Sequence, residues 1–126
     1  MPTAPLTGLR ILIVEDDPMI CIVVEDMLLE AGCRVCGPHL SYKAALHAAE
    51  SETVDIAILD VNLGGVVSYP IGEVLQARGI PFVLTSGYGN GAAPAEHPDW
   101  PTCGKPFTTE TLTKALVAAL AAPIET

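Results

Sequence analysis

Acidic side chains that follow apolar runs are the residues of this chain best suited to chemistry. Glu15, Asp16 and Asp17 directly follow the first apolar run, and Asp60 directly follows a later one. Carboxylates that converge repel one another, so at neutral pH they need a cation or a raised pKa. Ligands that offer only oxygen suit a hard divalent ion, and Mg²⁺ is favoured where water and phosphate oxygens complete its shell. A bound ion would shield the charge of Asp60 and let this carboxylate meet a phosphoryl group as a nucleophile.

A hydroxyl and an ammonium group follow two further apolar runs. Thr85 and Ser86 end the run that begins at Pro81, and Lys105 stands after a short run further on. A hydroxyl and an ammonium suit the equatorial oxygens of a transferring phosphoryl group, which needs positioning and neutralisation of charge. One acidic residue after a strand is ordinary, because it is solvated and can cap the next helix. The combination of these groups at several strand ends is what indicates phosphoryl transfer.

The apolar pattern predicts alternating strands and helices. The predicted strands are Leu9–Val14, Cys33–Cys36, Val54–Leu59, Pro81–Thr85 and a short, weak strand around Thr102–Gly104; the predicted helices are Pro18–Ala31, about Tyr42–Ser51, near Pro70–Arg78 and Leu112–Leu120. This order predicts an α/β fold of βαβ units with right-handed crossovers and a parallel sheet covered on both faces. Ligands collect outside the carboxyl ends of such strands. The polar groups above are therefore expected to form one pocket.

The chain of 126 residues suits one domain. We expect an N-terminal extension over 1–8, the domain over 9–121 and a tail over 122–126. The segment Gly87–Pro101 lies between the fourth and fifth predicted strands and holds three Gly and three Pro. The fourth helix, which would connect these two strands, is therefore expected to be short or disordered. Because the closing helix lies near the end of the chain, we expect no output domain.

Composition excludes several classes of protein. The chain has 15 acidic against 6 basic residues and a net charge of −9, which argues against nucleic-acid phosphates as a partner. No apolar run reaches the roughly 20 residues that a membrane-spanning helix needs, and residues 1–8 lack the features of a secretory signal. The expected location is cytoplasmic, with no nucleic-acid or membrane partner.

The four cysteines do not have the pattern of a metal or redox site. Cys33 and Cys36 have the spacing of such a pair, but positions three apart on a strand face opposite sides. The three histidines are scattered, and no second cysteine pair accompanies the first. We expect ordinary half-buried thiols in a reducing compartment.

Four motifs stand in order along the chain: Ile11–Pro18 (ILIVEDDP), Asp55–Leu63 (DIAILDVNL), Pro81–Ser86 (PFVLTS) and Lys105–Phe107 (KPF). Together they resemble the receiver domains of response regulators in two-component signalling, over about Leu9 to Leu120. The stretch GIPFVLTSGYG, with the later KPF, more narrowly resembles receivers with a Phe-Ala-Thr-Gly-Tyr type motif. Those receivers are often free-standing and typically serve histidine kinases of the HWE and related classes. The resemblance implies a flavodoxin-like (βα)5 doubly wound sheet with strand order 2-1-3-4-5.

The resemblance also implies a metal site for Mg²⁺ or Mn²⁺. Glu15 and Asp16 match the family's acidic pair, of which Asp16 is favoured as the direct ligand of the metal. Asp60 matches the phosphoacceptor, which also contacts the metal, and Asn62 matches the residue whose backbone carbonyl completes the shell. Asp17 falls one place past the acidic pair and is expected to cap the helix that follows.

Further matches concern the phosphoryl group itself. Lys105 matches the lysine that contacts this group, and the family usually has a cis peptide between that lysine and the proline after it. Receivers also have a switch hydroxyl, which moves toward the phosphoryl group. Counting five residues on from Pro81 assigns this role to Ser86, with Thr85 the less favoured alternative.

Some positions depart from the family pattern. Many receivers carry an aromatic residue where this chain has Thr102, and its ring rotates inward when the hydroxyl moves toward the phosphoryl group. This rotation is not expected here. Tyr88 is the nearest aromatic alternative and equally a turn residue beside the pocket. Trp100 is expected to anchor the loop by packing. We hypothesise that phosphorylation orders the segment 87–101.

The resemblance implies a single-domain response regulator that is not an enzyme. It would accept a phosphoryl group from a sensor histidine kinase and signal through a partner protein, or serve as a relay carrier or phosphate sink. One alternative is a receiver fold used as a scaffold without phosphorylation. Another is a phosphatase with an aspartate nucleophile, although Asn62 cannot act there as a general acid. A flavin-binding protein is disfavoured, because Glu15, Asp16 and Asp17 would repel the flavin phosphate.

Overall fold

The computed structural model of the chain describes residues 6–87 and 93–121. The strands in these ranges are β1 (Arg10–Val14), β2 (Arg34–His39), β3 (Ile56–Asp60), β4 (Asn62–Leu63), β5 (Val66–Val67), β6 (Phe82–Ser86) and β7 (Thr102–Gly104). The helices are α1 (Pro18–Glu30), α2 (Tyr42–Ser51), α3 (Tyr69–Ala77) and α4 (Thr109–Ala121). No helix in the described ranges is long and apolar enough to cross a bilayer.

Five parallel strands form the central sheet, in the order β2-β1-β3-β6-β7. This is the flavodoxin-like order predicted from the resemblance, because β4 and β5 stand outside the sheet. They form a separate antiparallel hairpin that pairs Asn62 with Val67 and Leu63 with Val66. The apolar pattern of the sequence did not predict this hairpin. Gly64 and Gly65 have positive φ, at 58° and 90°, which suits a tight turn between two strands.

The sheet divides the core into two halves, as a doubly wound fold requires. Ile11 and Ile13 of β1 face one half, which α1 and α4 cover. Leu12 and Val14 face the other half, which α2 and α3 cover. This alternation follows from the period of two along a strand. It fixes the strands, and hence their carboxyl ends, in one register.

The ends of α1 and α2 agree with the sequence. Asp17 is the N-cap of α1, and its side chain accepts a hydrogen bond of 2.9 Å from the backbone N of Met19. Ser41 is the N-cap of α2 and accepts a bond of 3.2 Å from the N of Ala44. The prediction that Asp17 serves as a cap is therefore confirmed.

The cysteines behave as structural thiols. All four are free, three are buried, and Cys103 is half-buried. Cys33 lies in the core half covered by α1 and α4, and Cys36 lies in the opposite half, so the pair cannot share a metal ion. Burial raises the pKa of each cysteine thiol above its ordinary value.

Residues 93–101 contain turns and no helix, which agrees with the expected weakness of the fourth helix. Residues 88–92, including Tyr88, lie outside the described ranges. Trp100 anchors the described part of the segment: its side chain is buried, and its ring meets Phe82 edge-on at 4.8 Å between centroids. The ring of His97 stacks on Trp100 at 4.2 Å, and its Nε2 lies 2.9 Å from Oε2 of Glu73 in α3. The expectation that Trp100 acts as a packing anchor is confirmed.

Gly72 in α3 makes room for the indole of Trp100. A Cβ at this position would lie 2.8 Å from Cζ3 and 2.9 Å from Cη2 of Trp100, and 3.3 Å from Cζ of Phe82. The two separations from Trp100 are too short for a carbon–carbon contact, and the one from Phe82 is tight. The φ of Gly72 is not positive, so the backbone conformation does not require a glycine here. The residue instead allows close packing between α3 and the segment 93–101.

We predict that Gly72→Ala destabilises the protein by about 1–2 kcal/mol, because overpacking of a filled core has a cost of this order. In an open helix the same change would stabilise by up to ~1 kcal/mol through helix propensity, so the sign tests the contact. The free energy of unfolding in urea measures it.

Two further variants separate the contact from other effects. Trp100→Phe should partly rescue Gly72→Ala, because a smaller ring leaves room for the new methyl group and the indole Nε1 has no hydrogen-bond partner to lose among the described residues. Gly104→Ala, where a Cβ meets nothing within 4 Å, should leave stability almost unchanged. A stabilised Gly72→Ala protein would contradict the packing account.

Candidate functional site

A cleft of about 290 Å³ opens at the carboxyl ends of the strands. It lies beside the ends of β1, β3 and β6 and the residue after β7, where the sequence predicted a pocket. Its lining residues are Glu15, Asp16, Asp17, Ile20, Asp60, Asn62, Gly65, Ser86, Gly87 and Lys105. The structure therefore brings together every predicted site residue except Thr85, which does not line the cleft.

Three carboxylates converge in this cleft. Glu15, Asp16 and Asp60 each offer one oxygen, and these oxygens lie within 4.8 Å of one another. Glu15 is 3% exposed and Asp60 is 5% exposed, so water solvates neither fully. Asp16 is half-buried. A donor set of oxygens only, at this spacing, fits a hard divalent cation such as Mg²⁺.

The ammonium of Lys105 lies between two of these carboxylates. Its Nζ is 2.8 Å from Oε1 of Glu15 and 3.3 Å from Oδ1 of Asp60. Burial by itself would lower the pKa of Lys105, but the bond to Glu15 and the nearby charge of Asp60 outweigh it and raise this pKa. Lys105 therefore carries a positive charge and offsets one of the three carboxylates.

Asp60 is the carboxylate whose charged form is disfavoured by this excess of negative charge. Burial, followed by the neighbouring charge of Glu15, raises the pKa of Asp60 to about 7, against the lowering effect of Lys105. The pKa of Asp60 rises because two buried carboxylates, Glu15 and Asp60, share the single ammonium of Lys105. A divalent ion at this position would favour the charged form of Asp60.

Backbone N–H groups fix the direction of each carboxylate. Oε2 of Glu15 accepts a bond of 3.1 Å from the N of Asp17. Oδ1 of Asp60 accepts one of 3.4 Å from the N of Asn62. Oδ2 of Asp16 accepts one of 2.7 Å from the N of Gly64. The donors belong to the loop after β1 and to the β4–β5 hairpin after β3, so these two segments shape the cleft.

The two hydroxyls at the end of β6 occupy different positions. Ser86 lines the cleft and pairs with Gly104 of β7. Thr85 is 1% exposed and lies in register with Asp60 on one side and Cys103 on the other. Geometry therefore supports Ser86 over Thr85 as the hydroxyl that can reach a ligand in the cleft.

The segment after β7 brings Lys105 to the cleft. Its backbone N donates a bond of 2.8 Å to the carbonyl of Ser86. The Lys105-Pro106 peptide is cis, as the resemblance implied. Thr102, at the position where many receivers carry an aromatic residue, is exposed.

Two residues beside the cleft were not found by reasoning from sequence. Ser68 is fully buried, and its Oγ donates a bond of 2.5 Å to the backbone carbonyl of Asp60. Gly64 holds Asp16 through its N–H. A serine directly before Tyr69-Pro70 is a helix N-cap signal that could have marked Ser68, but it does not reveal where the hydroxyl points.

Known proteins share this fold. The family model of the response regulator receiver domain matches residues 11–117. The solution structure of SdrG from Sphingomonas melonis Fr1 is 41% identical with a TM-score of 0.79, over 90% of this chain and 97% of that chain. The BeF3-activated conformation of SdrG, from Pseudomonas melonis Fr1, is 40% identical with a TM-score of 0.75, over 90% of this chain and 98% of that chain.

A more distant similarity shows the fold alone. The receiver domain of the sensor histidine kinase PA1611 from Pseudomonas aeruginosa PAO1, with a magnesium ion coordinated in its active site cleft, is 23% identical with a TM-score of 0.76. The match covers 92% of this chain and all 100% of that chain. Among proteins with curated descriptions, none matches significantly. Because the receiver model spans most of the sequence, the chain belongs to the response regulator receiver domain family of two-component signalling.

Proposed function

We propose that this receiver accepts a phosphoryl group on Asp60 in a reaction that depends on Mg²⁺ or Mn²⁺. The observation that carries the proposal is the convergence of three carboxylates and one ammonium in a single cleft, with Asp60 between Glu15 and Lys105. Phosphoryl transfer needs a positioned nucleophile and positive charge beside the phosphoryl oxygens, and these groups can supply both.

The metal site in this proposal consists of Glu15, Asp16, Asp60 and the backbone carbonyl of Asn62. The donor chemistry fits, because all four groups offer oxygen and three of them converge within 4.8 Å. When bound, the ion supplies positive charge that offsets the carboxylates and the oxygens of the incoming phosphoryl group. The receiver of PA1611, which shares this fold, holds a magnesium ion in its own active site cleft.

The transfer itself is a displacement at phosphorus. A carboxylate oxygen of Asp60 forms the new O–P bond while the P–N bond of a phosphohistidine breaks, and the imidazole leaves with the electron pair. Lys105, already 3.3 Å from Oδ1 of Asp60, holds the acceptor and contacts a phosphoryl oxygen. The hydroxyl of Ser86, which lines the same cleft, donates to another. Both groups stabilise charge on the phosphoryl oxygens as it moves.

The partners in this proposal follow from the family. The phosphodonor is a sensor histidine kinase, of the HWE type on the basis of the GIPFVLTSGYG stretch. The phosphorylated domain, over residues 9–121, then acts in the cytoplasm on a downstream protein, or it passes on or drains phosphoryl groups, without being a classical enzyme. Support comes from SdrG, whose solved chain is matched over 97% of its length and is known in a BeF3-activated conformation.

Labelling of the intact protein tests the proposal. Incubation with acetyl phosphate and Mg²⁺ should add the mass of one phosphoryl group, and EDTA should abolish the addition. Asp60→Asn should show no adduct, because the amide is not a nucleophile under these conditions. Asp26→Asn, which changes an exposed carboxylate of α1 outside the cleft, should be labelled like the wild type. Intact-protein mass spectrometry measures all four samples.

An unlabelled wild-type protein, under conditions that label a known receiver, would contradict the proposal. The scaffold alternative would then explain the chain better. Turnover of a generic phosphomonoester would instead support the phosphatase alternative.

A second prediction distinguishes the two hydroxyls of β6. Ser86→Ala should slow labelling by acetyl phosphate by about tenfold, because one donor to the phosphoryl oxygens is lost. Thr85→Val, which keeps the shape of a buried side chain, should change the rate by less than about twofold. Initial rates at saturating Mg²⁺ measure both variants. The reverse result would make Thr85 the switch hydroxyl.

A third prediction concerns pH. The raised pKa of Asp60, about 7 against an ordinary 3.8, means that the folded protein binds a proton which the unfolded chain releases. The stability that this proton gives is fully present below the unfolded value and is lost as pH rises through about 7. Mg²⁺ would bind the deprotonated form of Asp60. The affinity of the protein for Mg²⁺ should therefore fall by up to about tenfold per pH unit below that pKa.

Thermal unfolding with and without Mg²⁺ measures this effect. The rise in Tm that Mg²⁺ produces should be larger at about pH 8 than at about pH 6, where protons compete for Asp60. Asp60→Asn should lose most of the difference between the two pH values. Equal rises at both pH values in the wild type would contradict competition between the proton and the ion.

A further inference from the structure

Ser68 occupies a helix cap but does not act as one. It is the N-cap residue of α3, yet its side chain accepts no hydrogen bond from the first turn. Serine at this position ordinarily accepts from a backbone N–H two or three residues on, as Ser41 does at α2. The Oγ of Ser68 instead donates 2.5 Å to the backbone carbonyl of Asp60, in a fully buried position. The hydroxyl therefore serves the carboxyl end of β3 rather than α3.

A second bond strengthens this connection. The backbone N of Ser68 donates a bond of 2.8 Å to the carbonyl of Val61. This bond joins the two ends of residues 61–68, a segment here called the brace. Its base, where the two ends meet, lies next to Asp60. Within the brace, the N of Asn62 also reaches Oδ1 of Asp60 at 3.4 Å. The brace holds both the main chain and the side chain of Asp60.

The other end of the brace holds a different carboxylate. At the turn of the β4–β5 hairpin, the N of Gly64 donates a bond of 2.7 Å to Oδ2 of Asp16. The turn is fixed in its own shape by the N of Gly65, which donates 2.8 Å to Oδ1 of Asn62. One short segment therefore joins the loop after β1 to the end of β3.

Charge explains why such a connection is needed. Glu15, Asp16 and Asp60 repel one another, and the ion pairs of Lys105 among the described residues are with Glu15 and Asp60. No ion pair in the same residues involves Asp16, whose contact is the N–H of Gly64. Without the brace, Asp16 would be free to turn away from the other carboxylates.

We propose that Ser68 is a positioning residue of the phosphoacceptor site. Its hydroxyl fixes Asp60 and the base of the brace, so that Asp16 and Asp60 stay at the separation that a shared cation needs. The inference rests on the proposed function of the cleft and adds to it a residue outside the cleft lining. It assigns the β4–β5 hairpin a role in binding the cation.

The test compares two serine caps. Ser68→Ala should weaken Mg²⁺ binding by about fivefold and slow labelling by acetyl phosphate at saturating Mg²⁺ by a similar factor, as expected for one hydrogen bond. Ser41→Ala removes a true cap at a helix away from the cleft, so it should destabilise the fold while both values stay within about twofold of wild type. Amide shifts in an NMR titration give the dissociation constant for Mg²⁺.

Hydrogen exchange in the metal-free protein gives a second readout. The amides of Gly64 and Asn62 should exchange faster in Ser68→Ala and not in Ser41→Ala, because only the first variant loosens the brace. If Ser68→Ala does not fold, Asn62→Ala carries the test, since it loosens the exposed turn of the hairpin through the lost bond to Gly65. It should weaken Mg²⁺ binding in the same direction.

The outcomes separate the two proposals. Equal Mg²⁺ affinity, labelling rate and amide exchange in Ser68→Ala and Ser41→Ala would overturn the role of Ser68, with the proposed function intact. A wild-type protein that binds no Mg²⁺ and accepts no phosphoryl group would overturn the proposed function instead. Amide exchange would then decide by itself whether Ser68 holds the brace.

Discussion

The burial of Asp60 beside Glu15 is the constraint on which the rest of the structure depends. The two side chains are 5% and 3% exposed, and the single ammonium of Lys105 contacts both. Burying a charge is unfavourable unless it is paired and hydrogen-bonded, so the protein must supply the donors that water cannot. They come from separate segments: Lys105 from the residue after β7, and backbone N–H groups of Asp17 and Asn62 from the loops after β1 and β3. The cleft therefore exists only in the complete fold.

The core makes this arrangement rigid. Because β1 and β3 are buried on both faces, in halves that α1 and α4 or α2 and α3 cover, neither strand can slip without moving apolar side chains into the wrong half. The ends of the strands inherit this fixed register, which pairs Val14 with Leu59 and Asp60 with Thr85. Close packing extends to the segment before β7, where Trp100 sits against Gly72. Apolar packing far from the cleft thus determines the separation of the charged groups within it.

The sequence predicted those features that depend on local pattern. The apolar runs gave the five strands of the sheet, and the rule for parallel sheets brought Asp60 and Lys105 to one edge although they lie far apart in the chain. The β4–β5 hairpin was missed because it consists of two pairs of residues around Gly64, too few for a pattern. The direction of the Ser68 hydroxyl was missed for another reason. The hydroxyl of a serine before a helix can accept a bond from a backbone N–H of that helix or donate one to a backbone carbonyl elsewhere, and only the position of the neighbouring strand decides between the two.

The contacts around Lys105 indicate how a change at Asp60 would leave the cleft under the proposed function. Phosphorylation moves negative charge outward from the carboxylate oxygens, while the bond of 2.8 Å from Lys105 to Glu15 can persist. The ammonium would then turn about Glu15 to follow the phosphoryl oxygens. Since the backbone N of Lys105 is bonded to the carbonyl of Ser86, the ends of β6 and β7 would move together. The carboxyl end of β3 is held by Ser68, so under the proposed function the conformational response would pass through β6 and β7 rather than through β3.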